Sequence, residues 1–265
     1  MLAAQRQSRI AETVKNHGAV SVTELVAQFG VSDMTIRRDL DTLASHGLLV
    51  KVHGGAVINQ SRRTEEPGFE AKSGQMEAEK AAATEEAARI VQPGMSVALS
   101  AGTTTWALAQ RLKRVEDLTV VTNSTRISDV FQADPRADRT VILTGGVRTP
   151  SDALAGPLAE TSLRSLHVDV AFLGTHGVAV PEGFTTPNFL EAETNRALLA
   201  TAQRRIVVTD HSKWGVLGIS TFAELHQIDT LILDDGLDPD ALASLQEHIG
   251  DVILVNAHQA DRAAG

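Results

Sequence analysis

The sequence predicts two domains of unequal size: a winged helix-turn-helix head and an α/β body built on a largely parallel sheet. Three observations predict this. The first 58 residues carry three helical patterns, a glycine turn and a hairpin signal, in that order. Beyond residue 76, short β-rich runs alternate with helical patterns. The charge is also uneven. Residues 1–63 hold 8 Lys/Arg and 5 Asp/Glu, a net of +3, while residues 64–265 carry a net of −12 in a chain whose total is −9. A mildly basic head on an acidic body suits contact between the head and a polyanion.

Composition bounds the alternatives. The chain has 265 residues, of which 43% are hydrophobic and 22% charged, which excludes wholesale disorder. With no cysteine there is no disulfide scaffold, thiol chemistry or Cys-based zinc site. The opening MLAAQRQSRIAE lacks the apolar core of a secretory signal. No apolar run approaches the ~20 residues that span a bilayer. A cytoplasmic protein with no membrane partner is expected.

In the head, Ile10 and Val14 repeat at helical spacing through AAQRQSRIAETVKNHG, and Gly18 ends the run. Ser21 followed by Glu24 forms a capping-box pattern that opens a second helix through Leu25, Val26 and Phe29, and Gly30 makes the turn. Ser32 caps a third helix, SDMTIRRDLDTLASHG. Its Ile36, Leu40 and Leu43 point inward and leave Asp33, Thr35, Arg37 and Arg38 on or near the outer face, and Gly47 ends it. LLVKVHGGAVI then reads as two strand pieces around Gly54-Gly55.

A third helix of this kind lies in a major groove with its N-terminal residues at base edges. Arg37 and Arg38 reach guanine edges or phosphates, and Thr35 reaches a thymine methyl or a phosphate. The candidate DNA-contacting residues are Ser32, Thr35, Arg37, Arg38, Lys51 and His53, the last two from the hairpin. The competing reading is a small three-helix domain whose arginine pair is merely solvated.

Boundaries follow from composition: 1–58 for the head, 59–75 for a linker and 76–258 for the body. NQSRRTEEPGFEAKSGQ mixes Ser, Gly, Pro and charge without periodicity. From Met76, EAEKAAATEEAARIV is rich in helix formers and stops at Pro93-Gly94. Seven β-rich runs follow, at 95–100, 118–124, 139–146, 168–174, 204–210, 229–235 and 251–256. Helical patterns between several of them include TTTWALAQRL, LAETSLRSL, NFLEAETNRALLATA and DALASLQEHI.

Sheets of this type bind ligands beyond the carboxyl ends of their strands. The residues there are polar and glycine-rich, and the first such loop, AGTTT at 101–105, opens a helix. A helix start offers unpaired N–H groups and partial positive charge, so this loop is a candidate phosphate cradle, although plain helix capping by Thr explains it as well. It matches neither a P-loop nor a dinucleotide fingerprint. Lys213 or Arg148 would add full positive charge, and Asp210 or Glu191 would hold sugar hydroxyls. His176, His211 and Asp210 do not have the spacing of a metal site, so neither a metal nor a cofactor is expected. The chain has no nucleophile elbow of the G-x-S-x-G type. Trp106 and Trp214 are read as packing or subunit contacts.

The head spacing Arg6-x3-Ile10-x3-Val14, then Ser32-x2-Thr35-Ile36-Arg37-Arg38-Asp39-Leu40, with VHGGAV at 52–57, resembles the DeoR family of bacterial transcription regulators. The body motifs AGTTTWALA, VVTNS, LTGGVR, AGPLAE, DVAFLGTHGV, GFTTPN with Glu191, and VTDHSKWG carry the resemblance to about residue 233. It implies that the third helix reads DNA. Asp39 also falls on a matching position, but an acid facing phosphate would repel it, so it is read as structural, holding an arginine. It implies an effector domain similar in fold to ribose-5-phosphate isomerase. It makes Gly102, Thr103, Thr104, Thr105 and Lys213 phosphate contacts, and Asn123, Asp169, Thr186, Asn188, Glu191 and Asp210 pocket residues.

Two departures stand out: Ser100 replaces an acid common in the family, and 175–190 lacks the lysine of the isomerase. The expectation is a non-enzymatic repressor of a carbohydrate catabolic operon. It would bind a double-stranded operator as a dimer or tetramer and be released by a phosphorylated sugar. The alternatives are an isomerase-like enzyme with an accessory head, or an activator.

Overall fold

Residues 3–17, 19–45, 48–52, 54–58, 66 and 68–257 are described in the computed structural model. Contacts divide the chain into two units, residues 1–62 and 63–265.

The first unit comprises α1 (Ala3–His17), β1 (Ala19–Ser21), α2 (Val22–Phe29), α3 (Asp33–Ser45), β2 (Leu49–Val52) and β3 (Gly55–Ile58). Ile10, Val14, Leu25 and Ile36 are fully buried and meet Leu40, Leu43 and Leu49 in one core, so the helical stripes point as their spacing requires. The Ser21 hydroxyl accepts from Glu24 N at 3.1 Å and the Glu24 carboxylate accepts from Ser21 N at 2.8 Å, the reciprocal capping box. Gly30, at φ +64°, closes α2 in the left-handed region.

Asp39 is buried and accepts from Arg6 Nε at 2.6 Å and Gln7 Nε2 at 2.9 Å. The arginine it holds is thus on α1, not one of its neighbours on α3. The expected hairpin is joined by β1, too short to read from alternation, in the order β1-β3-β2.

The second unit runs α4 (Phe69–Ser73), α5 (Glu77–Ile90), β4 (Ser96–Leu99), α6 (Thr103–Leu112), β5 (Thr119–Thr122), α7 (Thr125–Gln132) and β6 (Thr140–Leu143). It continues with β7 (Val147–Arg148), β8 (Leu154–Ala155), α8 (Pro157–Leu163), β9 (Val168–Leu173), β10 (Gly177–Ala179), β11 (Gly183–Thr186) and α9 (Phe189–Thr201). β12 (Ala202–Val208), β13 (Ser220–Ala223), β14 (Thr230–Asp234), α10 (Pro239–Gln246) and β15 (Asp251–Val255) complete it.

Among the described residues, seven strands pair in parallel in the order β15-β14-β12-β9-β4-β5-β6. Each corresponds to one of the seven β-rich runs. Successive residues of β4 point to opposite faces: Val97 and Leu99 pack with α5, α6 and α7, and Ala98 with α8, α9 and α10. Both faces are covered, which is why the strands read as nearly continuous apolar runs. Among the described residues no helix is long and apolar enough to cross a membrane.

The segment 59–75, read as a linker, differs in its second half. Phe69 is buried, lies edge-on to Trp106 with ring centroids 5.8 Å apart, and has the Arg126 guanidinium over its face at 4.5 Å. One aromatic anchor therefore docks residues too few to show a helical period.

Candidate functional site

Because the seven strands are parallel, their carboxyl ends share one edge, and a pocket opens there. Gly102, Thr103 and Thr104 line it, together with Thr186, Glu191 and Lys213. Gly102 sits at φ +149°, a conformation that L side chains rarely adopt. It brings no capping side chain to α6, whereas Ser124 caps α7 and Asn188 caps α9. The first turn of α6 therefore presents its N–H groups without a side-chain cap, a candidate seat for an anion.

Other expected residues support the pocket. The Thr105 hydroxyl is turned back to Gly102 O at 3.2 Å. Asn123 accepts from Ala101 N at 2.9 Å and donates to Leu154 O at 3.2 Å, fixing the cradle loop. Asp210 is buried and accepts from Ser212 N at 3.1 Å, capping the 3-10 turn His211–Lys213 that carries Lys213. Its Oδ2 has no hydrogen-bond partner.

Two expected residues lie elsewhere. Asp169 is the second residue of β9, and its carboxylate accepts from Ser96 N and Oγ, each at 2.7 Å, at the amino ends of β9 and β4. That is the edge opposite the pocket. Arg148 is exposed on β7 and pairs with Asp152 at 2.6 Å, away from the pocket lining.

The pocket also takes residues that sequence reasoning missed. Lys72 comes from α4, in the supposed linker, and Lys80 from α5. Lys80, Ala83, Thr84 and Ala87 form the buried stripe of α5. A lysine in the apolar register of an Ala-rich helix was thus the available signal. Ser151, His176 and Asn195 line the pocket too. Glu66 accepts from Ser151 Oγ at 2.5 Å and from Asn188 Nδ2 at 2.9 Å. Among the described residues no group of three or more His, Asp or Glu side chains is placed to hold a metal.

Burial dominates the electrostatics. It pushes the Lys80 ammonium down to about 8, with Asp210 opposing and Lys213 assisting. Lys72 is lowered by burial against the pull of Glu191 and Glu66. Burial, Lys72 and Lys213 lower His176 to about 4, so its ring is neutral at pH 7. Glu191 is pushed up to about 8 by burial and by Glu66, with the Thr149 hydroxyl and Lys72 opposing. Burial would also raise Glu66, but hydrogen bonds from Glu191, Ser151 and Asn188 outweigh it and hold Glu66 below the usual range. Two of the charges meeting in the pocket, Lys72 and Lys80, are thus ammonium groups kept short of water.

On the head, Arg37 and Arg38 are exposed on α3, and Arg37 pairs with Asp33 at 2.5 Å, an exposed contact that DNA phosphate can replace. Ser32 Oγ and Thr35 Oγ1 are 2.9 Å apart, and Ser32 O accepts from Thr35 N and Ile36 N, so Ser32 works as the cap. Lys51 pairs with Asp41, and His53 lies outside the described residues. Met34, unremarked in the sequence, is 61% exposed in the first turn of α3, where an apolar side chain can meet a thymine methyl.

Residues 6–62 match the DeoR-like helix-turn-helix domain and residues 75–235 the DeoR C terminal sensor domain. The chain belongs to the DeoR family of transcriptional regulators. It is 34% identical over 253 residues to a putative aga operon transcriptional repressor of Escherichia coli O157:H7, covering 95% of this chain and 93% of that one. It is 36% identical to the HTH-type transcriptional regulator GlpR of Haloferax volcanii, covering 93% and 95%. A lactose phosphotransferase system repressor of Streptococcus mutans is 31% identical, covering 92% and 96%. Among solved structures, ribose 5-phosphate isomerase A of Methanocaldococcus jannaschii aligns with a TM-score of 0.37 and 16% identity, over 51% of this chain and 53% of that one.

Proposed function

We propose that this regulator represses a carbohydrate catabolic operon and leaves its operator when a phosphorylated sugar fills the pocket. The observation that carries the reading is the convergence of Lys72, Lys80 and Lys213 with the uncapped start of α6 on one cavity. A phosphate dianion matches that set of donors. Glu191, Asn195 and Ser151, at the same cavity, suit hydroxyl groups. The names of the aga operon and lactose phosphotransferase system relatives support a sugar operon.

The head reads a major groove through Met34, Thr35, Arg37 and Arg38, with the β2–β3 wing at the backbone. Operator half-sites call for a dimer or tetramer working in the cytoplasm. The sugar shifts the equilibrium because it binds the released arrangement better.

A second reading, turnover of a sugar phosphate, draws on the same three lysines, which supply from other elements what 175–190 lacks. The relatives' names as regulators favour binding without turnover. The test is operator binding at fixed salt with and without a panel of phosphorylated sugars, alongside an isomerase assay of the same preparation. Arg38→Ala should lose operator affinity and keep sugar binding, and Lys213→Ala should do the reverse. The opposite pair of effects overturns the assignment, and turnover of any panel member favours the enzyme.

A further inference from the structure

Residue 66 is the fourth after Arg62, where the first unit ends. Its carboxylate is fully engaged in the sensor unit. Oε1 accepts from Ser151 N at 3.1 Å and from Ser151 Oγ at 2.5 Å, and Oε2 accepts from Asn188 Nδ2 at 2.9 Å. Asn188 uses its other side-chain atom to cap α9, directly before Glu191. Ser151 and Glu191 line the pocket. A single side chain from the chain leading to the DNA-binding unit therefore occupies Ser151, on the pocket wall, and Asn188, which caps the helix carrying Glu191.

We infer that Glu66 is a strap: by holding Ser151, at the pocket wall, and Asn188 it ties down the chain that leads to the DNA-binding head, and the sugar part of the ligand evicts it. The inference rests on the reading of the pocket given above.

A sugar hydroxyl accepts from Ser151 and Asn188 as a carboxylate oxygen does, so eviction exchanges hydrogen bonds without orphaning the donors. The next anchor along the chain is Phe69, which is buried. With Glu66 seated, three residues separate the first unit from its nearest anchor, and with Glu66 evicted there are six. At about 3.3–3.6 Å per residue the added reach is on the order of 10 Å. Two heads that must meet half-sites about 34 Å apart lose their register when each tether gains that much. The ligand thereby acts on DNA binding without touching the head.

The full-length chain provides the test, using trypsin cleavage after Arg62 and Arg63, amide exchange at Ser151, and operator binding at fixed salt. Without ligand, Glu66→Ala should be cleaved several-fold faster than wild type and exchange Ser151 N–H faster. Its operator affinity should fall roughly tenfold. Glu66→Gln and Ser151→Ala each remove part of the contact, should show smaller changes in the same direction, and cover the case in which Glu66→Ala fails to fold.

On wild type, ribose 5-phosphate or glucose 6-phosphate should speed the cleavage. Inorganic phosphate, which fills the cationic end and brings no hydroxyl chain, should not. Variants with wild-type cleavage and operator affinity, beside a wild type that a sugar phosphate still releases, would overturn the strap and leave the functional reading standing. A wild type that binds neither operator nor any of these phosphates overturns both.

Discussion

Raising the pH from 7 to 9 should weaken binding of a phosphorylated sugar about tenfold, and Lys80 is the reason. Burial lowers its ammonium to about 8. Its charged fraction falls from roughly nine-tenths to roughly one-tenth across that interval. The second ionisation of a phosphate monoester lies near 6, so the ligand stays dianionic throughout. The sign is fixed: a dianion binds the ammonium form, so affinity is full below pH 8 and is lost above it. His176, lowered to about 4, is neutral over the whole range and adds no slope. Glu191, raised to about 8, gains negative charge over the same range and can only steepen the loss.

The same linkage requires proton uptake on binding, because the dianion raises the Lys80 pKa. Titration calorimetry in two buffers of different ionisation enthalpy reads both quantities. Near pH 8 the uptake should be on the order of half a proton. Lys80→Met should flatten much of the profile. It should also weaken binding at pH 7 by roughly 10–100-fold, the value of a charge-assisted hydrogen bond of about 1.5–3 kcal/mol. An affinity that is flat from pH 7 to 9, or a Lys80→Met variant that keeps the full slope, refutes the placement of phosphate at Lys80.

Three further outcomes are expected. Gly102→Ala forces a side chain into φ +149° at the start of α6, a strain of about 1–3 kcal/mol; it should cut sugar-phosphate affinity and leave operator binding intact, read by parallel binding assays. Phe69→Ala removes the buried anchor of α4; it should destabilise the sensor unit by about 3–5 kcal/mol in chemical denaturation and release operator without ligand. Met34→Ala, at an exposed position, should leave the melting temperature unchanged and weaken operator binding by about 1 kcal/mol, with the loss concentrated on sequences carrying thymine at one position.

Long-period features were legible in the sequence, and features set by single contacts were not. All seven strands of the parallel sheet could be read as short β-rich runs, the inner ones because burial on two faces makes them nearly continuously apolar, and the half-exposed edge strands β6 and β15 because they keep β-branched and leucine side chains. The α3 stripe of Ile36, Leu40 and Leu43 could be read because one buried face repeats at helical spacing. β1, β7 and β8, at two or three residues, are below the length at which alternation registers. α7 was missed: TRISDVFQ spans barely two turns, although Ile127, Val130 and Phe131 bury one face of it.

In the site, the β4–α6 loop announced itself through glycine and threonine chemistry. Lys72 did not, because it reaches the pocket from the short α4 that the buried Phe69 anchors, and Glu66 did not, because its partners Ser151 and Asn188 are 85 and 122 residues away in the chain. Asp169 shows the opposite error. Asp169 was named because the family resemblance implied a pocket residue there, and its place at the amino end of β9 puts it at the edge away from the pocket.

The three-stranded sheet of the head carries one more consequence. Val22 N donates to Gly54 O at 2.8 Å, and β3 passes β1 so closely that a Cβ on Gly55 would stand 2.2 Å from Val20 O. The wing is therefore clasped to the strand that opens α2, and α2 packs on α3. If α3 reads DNA, wing and reading helix would act as a calliper whose gape the β1–β3 pairing and the α2–α3 packing set before any duplex is met. DNA whose groove already matches that gape is accepted without distortion, and DNA that must be widened or narrowed bears a deformation energy dependent on its base steps. A head built this way would measure the shape of base pairs that it never touches.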